Sequence, residues 1–183
     1  MMFPTWDSTL FRVINEWHSD SCDVFMIFLS DKLVWIPLYI ILIWKIYQSN
    51  PKVFKSAILY VILSIVWADQ ISSNLLKPLV KRLRPSHVED FQSWIHLPNG
   101  AGGMYGFCSS HAANSFAIAM CIYLLTKNKP LGISLFIWAA LISYSRIYLG
   151  VHYPLDVITG AFVGLSGAYI LKKVVYDKLT KNS

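Results

Sequence analysis

The stretch VFKSAILYVILSIVWADQISSNLLKPLVKRLRP, residues 53–85, is an apolar run that ends in a dense group of cations. Its first part, 53–76, is close to the roughly 20 residues a helix needs to cross the hydrocarbon of a bilayer. Composition extends that reading to the whole chain. At 183 residues, 55% hydrophobic, 15% aromatic and only 14% charged, it holds more apolar surface than one soluble core of this size can hide. Further apolar runs at 33–47, 110–126, 131–148 and 155–175 bring the predicted spans to about five. Trp35, Tyr47, Trp138, Tyr148, Tyr153 and Tyr176 sit near their ends, where interfacial anchors belong. The expected fold class is therefore all-α: a polytopic membrane helix bundle forming one domain over 1–183, with an interfacial N-terminal segment at 1–31. Within that segment, 7–17 mixes Leu10, Phe11, Val13, Ile14 and Trp17 with Arg12, Asn15 and Glu16, as a helix lying in the interface would. Residues 22–30 are apolar but too short to span. Residues 1–10 lack the basic start, apolar middle and cleavage site of a removable signal.

The excess of Lys and Arg does not read as a nucleic-acid surface, because the basic residues lie between apolar runs rather than in one stripe. With five spans, Lys45, Lys52, Lys55, Lys127, Lys129, Lys172, Lys173, Lys178 and Lys181 share one side with a single acid, Asp177. The positive-inside rule makes that side the cytoplasm and leaves the C-terminus there. The other side receives Arg12, Lys32, Lys77, Lys81, Arg82, Arg84 and Arg146, too many cations for topology alone to explain.

Those cations form a pattern. If 77–84 stays helical, Lys77, Lys81 and Arg84 fall at i, i+4 and i+7 on one face, with Pro78 kinking the helix and Pro85 stopping it. Lys81 and Arg82 read as snorkelling interfacial residues. In CSSHAANSF, Ser109 or Ser110 caps a new helix whose free N–H groups make an anion site, and His111 lies in its first turn. In SRIYLGVHYPLD, Arg146 closes one helix, Pro154 opens the next, and His152 and Asp156 flank that start. All three junctions open on the same membrane face. Asp69, Ser73 and Lys77 share a helix face, where a buried carboxylate would orient a neighbour. His87, Glu89, Asp90 and His96 read as solvated loop residues, and PNGAGGMYG, 98–106, as a flexible turn without the Lys and Ser/Thr of a phosphate loop. Cys22, Cys108 and Cys121 make neither a metal spacing nor a disulfide framework; a Cys22 to Cys108 bridge has no support in the sequence.

Two His, one Asp, two Arg and a Lys at one depth suit phosphoryl transfer in which positioned cations meet the charge on the phosphate oxygens. Lys77, Arg84, Arg146 and the Ser109 helix start would bind phosphate. His152, oriented by Asp156 four residues on, would attack phosphorus, and His111 would protonate the leaving oxygen. A metal reading would use His111, His152 and Asp156 as ligands, against the repulsion of three nearby cations. An anion-binding or transport protein without turnover is the rival from another class, although it has no need of a His to Asp pair.

These segments resemble the type 2 phosphatidic-acid phosphatase family, which shares its phosphate-site pattern with soluble vanadium haloperoxidases. Its three-part signature is Lys, six residues, Arg-Pro; then Pro-Ser-Gly-His; then Ser-Arg, five residues, His, three residues, Asp. The chain matches at Lys77, Arg84 and Pro85, at Ser109 and His111, and at Ser145, Arg146, His152 and Asp156, all within 77–156. It departs at CSSH, where Cys108 replaces the Pro and Ser110 the Gly, so Ser110 is a further candidate phosphate contact. The resemblance implies a small membrane-embedded bacterial lipid phosphatase, and the lysine distribution puts its site on the outer face of the cytoplasmic membrane. The resemblance also implies a phosphohistidine on His152, acid catalysis by His111 and no cofactor or metal. Undecaprenyl pyrophosphate, phosphatidylglycerol phosphate, phosphatidic acid and lipid A phosphate all present a suitable terminal phosphate.

Overall fold

The computed structural model describes residues 3–181. Its regular structure is helical apart from one isolated antiparallel bridge, Leu83 to Tyr105. Helix α1 (Thr5–Glu16) turns through Ser19 into α2 (Asp20–Ser30), whose first turn donates the Cys22 N–H to the Ser19 hydroxyl. A short 3₁₀ turn, Leu33–Trp35, leads into α3 (Ile36–Ser49). Trp35 Nε1 donates to the Leu29 carbonyl at 3.0 Å and fastens the bend between them. Helix α4 (Phe54–Asp69) widens into a π-helical stretch, Gln70–Leu76, and ends as α5 (Lys77–Val80). Pro78 accounts for the widening, since it brings no N–H to the ladder and its ring crowds the carbonyl four residues back. Three longer helices follow: α6 (Ser110–Thr126), α7 (Lys129–Tyr148) and α8 (Pro154–Leu171), the last continued by π-helical Lys172–Tyr176 into α9 (Asp177–Thr180).

Among the described residues three helical stretches are long and apolar enough to cross a bilayer: Pro51–Val80, Lys129–Tyr148 and Pro154–Thr180. By apolar length alone, 22–30 is too short to span and 33–47 is a span of its own. Instead α2 and the Leu33–Ser49 helix form a pair bent by 66° that together passes the same test. Helix α6, 17 residues and apolar, sits in the middle and packs on α3, α4, α7 and α8. Leu42, Ile46, Ala57, Ala119, Ile122, Leu135, Trp138 and Ile142 make the main core. Large apolar side chains such as Leu33, Leu79 and Phe162 are left outside, as suits a lipid-facing surface. The fold is an all-α membrane helix bundle.

The closest packing is α6 on α8. A Cβ built on Gly160 would lie 2.4 Å from the Ser109 carbonyl oxygen, and one on Gly164 2.1 Å from that of Ala113. Small residues facing each other let the two backbones approach. That approach brings together the N-terminal ends of α6 and α8, where Ser109 N–H donates to the Asp156 carbonyl at 2.9 Å.

Helix α1 departs from the simple interfacial pattern. Asp7, Phe11 and Asn15, spaced four apart, are its buried stripe, whereas Trp6, Leu10, Val13 and Trp17 stay exposed. Asn15 donates to the carbonyls of His96 and Tyr148 and accepts the His96 N–H. His96 is also not free in solvent: its Nε2 lies 2.9 Å from Asp23, which accepts the Tyr148 hydroxyl at 2.7 Å. The three cysteines are unpaired, with Cys22 exposed and Cys108 and Cys121 buried.

Candidate active site

The cations expected on one helical face reach the site by another route. Helix α5 stops at Val80, and Lys81 takes a left-handed conformation (φ 51°). The chain then runs extended, held by Arg84 N–H to the Met104 carbonyl at 3.0 Å and Gly106 N–H to the Arg82 carbonyl at 2.9 Å. In extended backbone alternate side chains share a face, so Arg82 and Arg84 point the same way and Leu83 points the other. Lys81 is exposed and takes no part. Lys77, Lys81 and Arg84 therefore do not share one helical face, because beyond Val80 a period of two replaces one of 3.6. Arg82 is likewise no snorkelling residue: its side chain is only 8% exposed and is paired with Asp7 and Asp156.

The Gly-rich segment has a more definite place than a flexible turn. Gly102 has φ +67°, and a Cβ there would lie 2.6 Å from an Arg84 guanidinium nitrogen. A Cβ on Gly106 would meet Asp156 Oδ2 at 3.0 Å and the Arg84 side chain at 3.1 Å. The segment thus lies against Arg84 and Asp156, and any side chain at these two positions would push into them.

Lys77 opens α5 and aims its ammonium at the next junction, donating to Ser110 Oγ at 2.5 Å and Ser73 Oγ at 3.4 Å. Ser110 Oγ also accepts from Ser72 at 2.9 Å, so its own proton goes to Ser73, 2.8 Å away, and that of Ser73 to Asp69 at 3.4 Å. The chain ends on a carboxylate that can only accept, which fixes its direction. The hydroxyl of Ser110 thus accepts from Lys77, and Asp69 accepts from Ser73. Ser109, fully buried, caps α6 by accepting the Ala112 N–H. His111 follows in the first turn, with Arg146, Lys32, His152 and Arg84 as electrostatic neighbours. Burial pushes the adjacent Cys108 thiol up to about 11, so it stays protonated.

Arg146, in the last turn of α7, donates to the Ser30 hydroxyl, while its buried Nε has no partner. Its carbonyl accepts the N–H groups of Val151 and His152, both at 3.2 Å, and so fixes the loop that carries His152. His152 is 1% exposed, with Nδ1 3.4 Å from Asp156 Oδ2, an ion-pair approach longer than a well-formed hydrogen bond. Burial first, then the positive charges of Arg84, Arg146 and Lys77, hold its pKa well below the ordinary 6.5, so the ring is neutral. Asp156 is fully buried and accepts from Arg82 at 2.9 Å and from the Tyr153 N–H at 3.1 Å. Among the described residues no three His, Cys, Asp or Glu side chains group as metal ligands do, so His111, His152 and Asp156 do not assemble the metal triad.

A cavity of about 440 Å³ runs from this cluster between α3, α4, α6 and α7. Its walls are Leu42, Ile46, Ile58, Ile65, Ile118 and their neighbours, and its polar end carries His111, Lys32, Ser30 and Asn114. Asn114 lies one turn beyond His111, and its buried carbonyl oxygen has no partner. Nothing in the local sequence singled it out, because an Asn in an apolar helix has no motif of its own. Arg82 and Asp7 were missed for a different reason. They are 75 residues apart and meet only through the tertiary fold.

A site with three cations, two imidazoles and an oriented carboxylate, open to an apolar channel, has the parts for phosphoryl transfer from a lipid. Residues 54–179 match the PAP2 superfamily. The lipid A 4'-phosphatase of Bacteroides thetaiotaomicron is 37% identical over 179 residues, covering 95% of this chain and 78% of that protein. The undecaprenyl-diphosphatase of Sulfolobus acidocaldarius is 32% identical over 158 residues, 85% of this chain and 71% of that one. The crystal structure of Aquifex aeolicus LpxE superimposes with a TM-score of 0.70 at 30% identity, covering 93% of this chain and 96% of the other. The chain belongs to the PAP2 superfamily and is an integral-membrane lipid phosphatase.

Proposed function

We propose that the chain hydrolyses the terminal phosphate of a lipid phosphate or diphosphate in two steps through a phosphohistidine on His152. The observation that carries this reading is the buried, neutral His152 held with Nδ1 toward Asp156, with His111, which lines the polar end of an apolar cavity, as its electrostatic neighbour. With Nδ1 turned toward Asp156, Nε2 is the nitrogen left to attack. In the first step Nε2 bonds to phosphorus and the bond from phosphorus to the lipid oxygen breaks. His111 gives that oxygen its proton. In the second step His111 takes a proton from water, the hydroxide attacks phosphorus, and the N–P bond breaks to release inorganic phosphate. Lys77, Arg84, Arg146 and the N–H groups after Ser109 hold the phosphate oxygens; Ser110 holds Lys77. These donors stand where a divalent cation would otherwise act, so the reaction needs no metal. The whole domain, 1–183, works as one unit.

The lipid enters sideways, its chain in the cavity between α3 and α4 and its headgroup among the cations, so that little apolar surface is drawn into water. The site faces away from the cytoplasm. Lipid A phosphate comes first among the proposed substrates and undecaprenyl diphosphate second, an order supported by relatives 37% and 32% identical that bear those names. The test is phosphate release by purified protein in excess EDTA from lipid A, undecaprenyl pyrophosphate, phosphatidylglycerol phosphate and phosphatidic acid. Release from lipid A at a rate unchanged by EDTA is expected. Loss on chelation with recovery in Mg²⁺ or Zn²⁺, or no release from any of the four, would overturn the proposal.

A further inference from the structure

Against Asp156 lie two further charged residues that the signature does not contain, Arg82 and Asp7. The Arg82 guanidinium forks between two carboxylates, one nitrogen 2.9 Å from Asp156 Oδ1 and the other 2.6 Å from Asp7 Oδ2. Arg82 is 8% exposed, and both carboxylates are fully buried. The rings of Phe3 and Tyr153 lie against the guanidinium, with centroids 3.9 and 3.7 Å from its carbon. The second oxygen of Asp7 accepts the Leu155 N–H at 2.8 Å, which ties α1 to the first turn of α8 beside Asp156.

We propose that Arg82 is a positioning residue for phosphoryl transfer, aiming Asp156 at His152, and that Asp7, brought by α1, tunes it. A carboxylate rotates about its last bond. With Oδ1 taken by Arg82 and Oδ2 met by the Tyr153 N–H, the Asp156 group has one orientation left, and in it Oδ2 faces His152 Nδ1. The charge count matters as well. Arg82 alone would cancel Asp156, leaving nothing to stabilise the positive ring that forms as Nε2 bonds to phosphorus. Asp7 restores a net charge of minus one behind the ring. A buried pair serving stability alone has no need of a second buried carboxylate, each of which is costly to desolvate. The N-terminal helix is on this account a part of the catalytic machinery at one remove.

The inference rests on the phosphohistidine reading above, and its test separates the two. Arg82→Lys keeps the charge but cannot fork to both carboxylates. Asp7→Asn keeps the acceptor for Leu155 N–H and loses both the charge and the oxygen that accepts from Arg82. Each variant, alone and combined with Asp156→Asn, is assayed for phosphoenzyme formation by rapid quench with an activated aryl phosphate. The single variants are expected to lose roughly 10- to 100-fold in rate with KM changed less than about threefold, as for outer partners of other oriented histidines. In the Asp156→Asn background either change should cost less than about twofold, because residues acting as one unit are not additive. Asp7→Asn should also shift the acidic limb of kcat/KM downward, since His152, otherwise faced by Arg84, Arg146, Lys77 and His111, loses negative potential. Losses that multiply in full with Asp156→Asn, or a pH limb that stays in place, would overturn the inference. Absence of any phosphohistidine in the unsubstituted protein would instead overturn the reading beneath it. Should Arg82→Lys not fold, Asp7→Asn decides by the same cycle and the same pH limb.

Discussion

His152 is buried as a neutral ring, and that state has a measurable consequence for the fold. Burial and three nearby cations depress its pKa in the folded protein below the ordinary 6.5. As pH falls through 6.5, the unfolded chain binds a proton at this residue that the folded chain refuses. Stability is therefore full above 6.5 and is lost progressively as pH drops toward the depressed value, by at most about 1.4 kcal/mol per pH unit. His152→Gln removes that contribution. The melting temperature in detergent should fall less between pH 7 and pH 5 for the variant than for the parent protein; equal slopes would show that His152 is not held neutral by folding. At this scale the sequence was readable where chemistry repeats at fixed spacing: Lys77, Arg84, Ser109, His111, Arg146, His152 and Asp156 gather at one end of the bundle as expected. Asp7 and Arg82 were not readable, because a buried acid and a buried base look like surface residues until the fold brings them together.

The elements were legible by their apolar lengths, yet their ends were not. Helix α6 begins and ends where its apolar run does, since Ser109 caps it and Lys127 closes it with φ 52°. Helix α5 ends at Val80, well short of Pro85, because Lys81 adopts a left-handed conformation that no spacing rule anticipates. The bend between α2 and α3 escaped for a similar reason: it depends on Trp35 reaching the Leu29 carbonyl. Between α3, α4, α6 and α7 these elements leave the apolar cavity, and the proposal that it receives the lipid chain predicts a substrate-dependent effect. Ile118 on α6 lines it, away from the charged cluster. Ile118→Trp should raise KM for a long-chain lipid phosphate roughly tenfold, the price of losing about two buried methylenes, and leave turnover of a water-soluble aryl phosphate within about twofold. Equal loss on both substrates would mean that the lipid chain lies elsewhere.

Across the whole molecule, the connections around Lys52, Lys127 and Lys172 carry most of the basic charge and lie at the opposite helix ends from His111 and His152. Residues 182 and 183, to which the expectation of a cytoplasmic C-terminus extends, lie outside the described residues. Single cysteines at Asn99 and at Lys181, in a background lacking Cys22, Cys108 and Cys121, should be labelled by a membrane-impermeant thiol reagent in intact cells at 99 and not at 181. The reverse pattern would place the site in the cytoplasm. The fold class was legible from composition because a bilayer permits so few solutions, whereas the tight α6 to α8 contact depends on Gly160 and Gly164 meeting Ser109 and Ala113 across the fold. The central claim, a phosphoryl group carried by His152, is tested most directly by quenching turnover of a ³²P-labelled lipid phosphate in base, where a phosphohistidine survives, and mapping the label. The account predicts label on residue 152 in excess EDTA, retained with an activated ester in His111→Ala and absent from His152→Ala. Turnover without label, or label on any other residue, would contradict it.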